Sequence, residues 1–81
     1  KEEFVRFLGT QELWDGRTAR ALMTEAHAES IEVRLAMSAR TIGDLFDLRC
    51  AVREHMIAWL RAEMPDALIR YRLVGKGKPE G

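Results

Sequence analysis

The chain has 81 residues, of which 47% are hydrophobic and 32% are charged. This length allows one domain with a modest core, and the hydrophobic content is too high for an intrinsically disordered chain. Thirteen basic residues balance thirteen acidic ones, so the net charge favours neither nucleic acid nor anionic lipid as a partner. The single cysteine, Cys50, excludes an internal disulfide framework and suits a reducing, cytosolic compartment.

The chain shows no membrane-spanning or targeting segment. No apolar run approaches the roughly 20 residues that cross a bilayer, and the first residues lack the pattern of a signal peptide. There is no initiator methionine, and Phe4, Val5, Phe7 and Leu8 already follow a helical spacing. We therefore expect that the chain is a fragment of a larger protein and that this fragment lies in water.

The first predicted elements are a short helix and a strand. The helix covers residues 2 to about 11 and is weakened near its end by Gly9. Residues 13–16 follow as a connection in which Asp-Gly provides the turn and Trp14 packs on the core. Residues 18–25 are predicted to form a strand.

The clearest strand covers residues 31–38, where apolar and polar residues alternate with a period of two. The short polar segment 27–30 predicts an antiparallel hairpin with the preceding strand. Thr41 is the predicted N-cap of a second helix, which Pro65 stops. One face of this helix is predicted to cover the sheet, and it is formed by Leu45, Leu48, Val52, Met56, Trp59 and Leu60.

A last strand is predicted at residues 67–74, with Arg70 and Arg72 on its outer face; an extended edge segment fits the pattern equally well. Residues 75–81 contain no anchoring apolar side chain and are predicted to be a flexible tail. The expected organisation is a single α+β domain at residues 1–74 followed by that tail. Gly75-Lys76-Gly77-Lys78 is too short for a phosphate-binding loop, and no helix follows it.

No catalytic site is predicted. His27 and His55 lie in different elements without a second metal ligand at a suitable spacing, so we expect no metal site, no cofactor and structural roles for both. Cys50 lies within a helix rather than at its N-terminus, which favours a packing role. The Arg70-Tyr71-Arg72 sequence is a weak signal for nucleic acid, because one aromatic residue and a neutral chain make a poor footprint.

The second helix carries the candidate interface residues, which are Asp47, Arg49, Arg53 and Glu54. Arg49 and Arg53 form a like-charged i, i+4 pair that repels unless an acidic group lies nearby. Two interpretations remain open. Both arginines are solvated near carboxylates of this chain, or they pair with a neighbouring subunit; exposed pairs contribute little to stability in either case.

Residues 46–54, FDLRCAVRE, together with Ile57, Leu60 and residues 65–68, resemble a carboxy-terminal segment of the small-conductance mechanosensitive channel (MscS-like) family. Residues 13–17 and 31–34 are also similar to that family, and the resemblance extends from about residue 4 to residue 70. Two departures are that Ile69 stands where the family pattern has proline, and that the membrane helices and pore segment are absent.

The resemblance implies a ferredoxin-like two-layer sandwich, here α-β-β-α-β with the family's first strand missing and a central sheet position vacant. It implies a homo-oligomer whose subunits enclose a cytoplasmic chamber, in a parent protein held in the inner or plasma membrane by upstream helices. The leading hypothesis is therefore a structural and assembly domain of an ion channel. The alternative is a ferredoxin-like regulatory module that binds a small ligand, and an enzyme ranks third.

Overall fold

The computed structural model describes residues 1–26, 30–66 and 68–79. Its elements in chain order are α1 (Glu2–Leu8), β1 (Trp14–Ala26), β2 (Ile31–Thr41), α2 (Ile42–Glu63) and β3 (Ile69–Lys78). The strands form one mixed sheet in the order β1-β2-β3, in which β1 and β2 are antiparallel while β2 and β3 are parallel. The predicted α+β class is confirmed.

Helix α2 has the boundaries that the sequence predicts. The Thr41 backbone is extended and its Oγ1 accepts a hydrogen bond from the Asp44 N–H at 3.1 Å, which is N-cap geometry. The helix ends at Glu63, just before Met64 and Pro65. The buried residues of α2 belong to the predicted face, and they are Leu45, Leu48, Val52, Met56 and Leu60, with Trp59 partly buried beside them.

A single core joins both helices to one face of the sheet. Phe4 and Leu8 of α1 are fully buried in the same cluster as Leu48 of α2 and Leu35 and Met37 of β2. Strand side chains alternate between the two faces of the sheet. The intervening residues of β2 and β3 therefore project to the face opposite the core, and neither α1 nor α2 packs on that face. The result is a layer of helices on a layer of sheet.

Strand β1 begins earlier than predicted. The expected connecting turn at residues 13–16 is wrong as an element boundary, because Trp14 already pairs with Ala39 of β2. The pairing register then shifts before Ala19, and Gly16 has a φ of 81° within this irregular stretch. The prediction for Trp14 is confirmed, since its ring packs on the core and its Nε1–H donates to the Thr18 carbonyl at 2.9 Å.

The predicted antiparallel hairpin is confirmed by the pairing of β1 with β2, which runs up to Ala26 opposite Ile31. Of its predicted link, residues 27–29 lie outside the described residues. Helix α1 ends at Leu8 rather than near residue 11, and β2 continues to Thr41 beyond its predicted end at residue 38.

The main correction concerns the end of the chain. The flexible tail predicted from residue 75 is wrong for residues 75–78, because β3 extends to Lys78 and pairs with β2 through Met37 opposite Gly75. A Cβ atom on Gly75 would lie 2.5 Å from the Met37 carbonyl oxygen, and one on Gly77 would lie 2.4 Å from the Thr41 carbonyl oxygen. These glycines therefore permit a close backbone approach instead of interrupting the strand. Residues 67, 80 and 81 lie outside the described residues.

The sheet also differs from the one that the resemblance implies. Strands β2 and β3 pair directly, from Ile31 opposite Ile69 to Ser38 opposite Lys76. Within the described strands, no vacant position therefore separates them. A three-stranded mixed sheet with one long helix is compatible with a two-layer sandwich.

Candidate interaction surfaces

The four candidate residues on α2 occupy two parts of the helix surface. Asp47 and Glu54 are exposed on the side opposite the core, whereas Arg49 is half-buried and Arg53 is exposed on an adjacent flank. Over the described parts of the chain, no carboxylate lies within 4.0 Å of either arginine. The structure does not bring the four residues together into one cluster.

Arg53 faces the β3 side of the molecule. It lines a cavity of about 370 Å³ together with Glu32, Arg70, Tyr71 and Arg72. The Arg70 Nη2 atom lies 3.9 Å from the Glu32 Oε2 atom, and burial raises the pKa of the Tyr71 hydroxyl. The predicted arginine-bearing outer face of β3 is confirmed, since Arg70 and Arg72 are exposed.

An apolar ridge runs along α2 beside β3, and we define it by Ile42, Phe46, Ile57, Met64 and Leu68. Its three helical members, Ile42, Phe46 and Ile57, fall within a sector of about 60° on a helical projection, and Met64 directly follows the helix. All five side chains are exposed, by fractions that range from 38% for Ile57 to 66% for Leu68. At the carboxyl end of α2 the ridge borders a hollow of about 750 Å³. Clustered exposed apolar side chains mark an interaction surface more often than scattered ones do.

A second apolar patch lies on β1, at the other edge of the sheet. This β1 patch consists of Leu22 and Met23, whose exposed fractions are 54% and 65%. Consecutive strand residues project to opposite faces, so the patch presents apolar surface on both sides of the edge. The strand order places β1 and β3 at opposite edges. The ridge and the β1 patch therefore lie on different sides of the domain.

Helix α1 is attached to α2 through His55. The His55 ring stacks on Phe7 with centroids 4.0 Å apart, and its Nε2 lies 2.5 Å from the Glu3 Oε2 atom. The pKa of Glu3 falls to about 2, chiefly through the hydrogen bonds that Arg6 donates and also through His55. The structural role predicted for His55 is confirmed, whereas His27 lies outside the described residues.

The third surface is a basic cleft of about 580 Å³, which is lined by the start of β1 and by the ends of β2 and β3. Its cationic lining residues are Arg17, Arg40, Lys76 and Lys78. Beneath them the Ser38 hydroxyl donates to Asp15 Oδ1 and accepts a hydrogen bond from the Thr18 N–H at 2.9 Å. The Ser38 hydrogen bond is the main reason that the pKa of Asp15 is lowered.

Sequence reasoning missed this cleft because it treated charge as a chain total. The three strands carry eight of the thirteen basic residues and three acidic ones. A period-two count of arginines and lysines along the strands would have indicated a basic sheet surface. The neutral total conceals this separation.

Within residues 1–26, 30–66 and 68–79, no group of three or more His, Cys, Asp or Glu side chains is placed to hold a metal ion. In the same ranges, neither helix is long and apolar enough to cross a bilayer. Cys50 is a half-buried free thiol inside α2. No protein-family model matches the chain, and neither a curated protein nor a solved structure matches it.

Proposed function

We propose that this chain is a structural and assembly domain of a mechanosensitive ion channel, where it joins neighbouring copies around a cytoplasmic chamber. The observation that supports the assembly role is the pair of uncovered apolar surfaces, the ridge and the β1 patch, on opposite sides of the domain. The resemblance centred on residues 46–54 supports a mechanosensitive channel as the larger protein to which this chain belongs. Membrane attachment in this proposal belongs to helices upstream of the chain.

The two surfaces differ in shape and composition, which favours a head-to-tail contact. An interface between identical patches makes a closed dimer, whereas an interface between unlike patches makes a ring when the rotation closes. In the proposed assembly the ridge of one copy packs against the β1 patch of the next. A ring built in this way encloses a central space, as a chamber requires.

Side chains rather than strand pairing would provide this contact. The edge strand β3 carries Arg70, Arg72, Lys76 and Lys78, and basic side chains on an edge strand oppose edge-to-edge pairing. The five apolar side chains of the ridge carry no charge, although Arg53 lies between Phe46 and Ile57 on the same flank of α2. Burying an exposed Phe46 and Ile57 against a neighbour stabilises association by an estimated 1 kcal/mol or more for each side chain.

The charged residues of α2 have defined places in the same proposal. Arg49 lies beside the ridge and Arg53 lies between Phe46 and Ile57, so an acidic group of the neighbouring copy would relieve their repulsion. Asp47 and Glu54 lie further round the helix and would form the rim of the contact. Rim charges influence the rate and specificity of association more than its strength.

The ferredoxin-like assignment is part of the proposal too. It is supported by the element order α-β-β-α-β and by the placement of both helices against one face of the sheet. In the proposed parent, the family's first strand would lie between β2 and β3 and would replace their direct pairing. Hydrogen exchange at the β2 and β3 amides should then differ between the isolated chain and a longer protein that includes that strand.

Sedimentation velocity over a concentration series tests the assembly role. We expect the sedimentation coefficient to rise with concentration, and Phe46→Ser or Leu22→Ser to reduce association on the order of tenfold each. Arg20→Gln, on β1 but outside both apolar surfaces, is the matched control and should associate like the original chain. If the original chain and the Arg20→Gln control both stay monomeric at every concentration, the assembly role is contradicted.

Mixing the two variants tests the head-to-tail geometry. Phe46→Ser retains an intact β1 patch and Leu22→Ser retains an intact ridge, so their mixture should form a one-to-one dimer about tenfold more tightly than either variant associates with itself. An interface between identical patches cannot be rescued by mixing, and failure to rescue would exclude the proposed ring contact.

The parent class has a separate test in the residues encoded upstream of Lys1. A β-rich segment preceded by apolar helices of about 20 residues would support the channel. An upstream sequence without any apolar span would exclude it and leave the assembly role to stand alone.

A further inference from the structure

The basic cleft gathers four cationic side chains from all three strands. Arg17 comes from β1, Arg40 from β2, and Lys76 and Lys78 from β3. Among the described residues, no carboxylate lies within 4.0 Å of Arg40, Lys76 or Lys78. Clustered like charges repel one another, and the repulsion is relieved when an anion lies between them.

Of the described residues that line the cleft, Asp15 is the single acidic one, and its carboxylate already accepts hydrogen bonds. Its Oδ1 atom accepts hydrogen bonds from the Ser38 hydroxyl and from the Arg17 N–H, the latter at 3.0 Å. These bonds fix the start of β1 on β2 across the register shift. Asp15 therefore reduces the positive charge of the cleft without cancelling it.

The lysines are held in place by the strand that carries them. Gly75 faces α2, because its Cβ position lies 2.6 Å from the Leu45 Cδ1 atom, and Lys76 therefore projects to the opposite face. The same alternation applies to Gly77 and Lys78. The glycines fit β3 closely against β2 and α2, and the lysines stand on the cleft side. Residues 75–78 thus form a paired strand that presents two ammonium groups.

We propose that the basic cleft binds a phosphate group, in the form of either a free phosphorylated small molecule or a phosphomonoester headgroup of a lipid. Guanidinium groups bind phosphate oxygens through paired hydrogen bonds, and ammonium groups supply compact charge beside them. The cleft is large enough to admit such a group, since its volume is about 580 Å³. This site lies apart from the apolar ridge and does not depend on the assembly role.

The binding should be electrostatic and therefore weakened by salt. The four cationic side chains are exposed to solvent. At physiological ionic strength, salt screens the attraction between exposed charges over a Debye length of about 8 Å. Affinity for inorganic phosphate should consequently fall as sodium chloride is added. Pyrophosphate, with more negative charge, should bind more tightly than phosphate.

Two-dimensional NMR of the ¹⁵N-labelled chain, titrated with inorganic phosphate at constant ionic strength, tests the proposal. We expect saturable shifts confined to the amides of Arg17, Thr18, Arg40 and residues 76–78. The double variant Lys76→Gln with Lys78→Gln should weaken binding on the order of tenfold or more. Arg70→Gln with Arg72→Gln removes the same charge from the same strand outside the cleft, and it should leave affinity nearly unchanged.

Vesicles distinguish the two sources of phosphate. If phosphatidylcholine vesicles that contain phosphatidic acid sediment the chain, and free phosphate and the lysine double variant both abolish this, the ligand is a lipid headgroup. If only free phosphate binds at the cleft, the ligand is a soluble phosphate compound. The proposal is overturned by shifts that do not saturate, by shifts spread over all basic residues, or by equal loss in both double variants when circular dichroism shows that both are folded.

Discussion

Replacing Gly75 by alanine distinguishes a paired strand from a flexible tail. The added Cβ would lie 2.5 Å from the Met37 carbonyl oxygen and 2.6 Å from the Leu45 Cδ1 atom. The Leu45 side chain can rotate away, but the Met37 oxygen belongs to the backbone of β2. Strand β3 must therefore move away from β2, and pairing weakens at the end of the sheet.

The expected loss of stability in Gly75→Ala follows from the known effect of over-packing on protein cores. Inserting one methyl group into a filled site typically destabilises a protein by about 1–3 kcal/mol. The upper half of that range, about 2–3 kcal/mol, applies here because one of the two contacts is with backbone. For a domain of this size each kcal/mol changes Tm by about 4–8 °C, so Tm should fall by roughly 10–20 °C.

Thermal unfolding followed by circular dichroism measures this change, with Gly9→Ala as the matched control. Gly9 has a φ of −62°, and the nearest atom to its Cβ position is the Arg6 carbonyl oxygen at 3.4 Å. The control should therefore be neutral or stabilise the fold by up to about 1 kcal/mol. If Gly75→Ala leaves Tm unchanged or raises it, residues 75–78 are not a strand that packs against β2 and α2.

Three further predictions concern the helices. Leu48→Ala removes a fully buried side chain and should lower the free energy of unfolding by about 2–5 kcal/mol in urea titrations, whereas Phe46→Ala on the exposed side should change it by about 0.5 kcal/mol or less; equal effects would contradict the assigned core face. Thr41→Ala should cost about 1 kcal/mol by the same measurement and Thr41→Ser much less, so a harmless alanine would argue against the N-cap. Because the pKa of Glu3 is lowered from 4.5 to about 2, its contribution to stability is complete above pH 4.5 and is lost as the pH falls towards 2. Melting curves of Glu3→Gln should lack that part of the acid dependence, and an identical pH profile would exclude it.

Local chemistry made most of the fold predictable. The period of two in residues 31–38, the Thr41 cap and the stop at Pro65 each depend on neighbours close in sequence, and β2 and α2 carry these features. The buried face of α2 was predictable for the same reason, since spacing along a helix fixes which side chains share a side. Trp14 and His55 also have the packing roles that were predicted for them.

The candidate surfaces were less predictable. The α2 residues Asp47, Arg49, Arg53 and Glu54 were predicted from the charge pattern of the helix and from the resemblance, and the structure separates the acidic pair from the arginines. The ridge depends on which helix flank the sheet leaves uncovered. The basic cleft depends on strand order, because Arg17, Arg40 and Lys78 come from three different strands.

The sequence by itself determined the elements whose causes are local: a capped helix ended by proline, an alternating strand and an α+β composition. Tertiary structure decided whether the glycine-containing segments form loops or strands. Asp15-Gly16 predicts a turn and Gly75-Lys76-Gly77-Lys78 predicts a loose tail, yet both belong to strands. The physical reason is that glycine lacks a Cβ, which allows a loop when nothing lies nearby and allows close strand contact when another backbone does. Only the positions of Met37, Thr41 and Leu45 in the folded chain distinguish the two cases for β3.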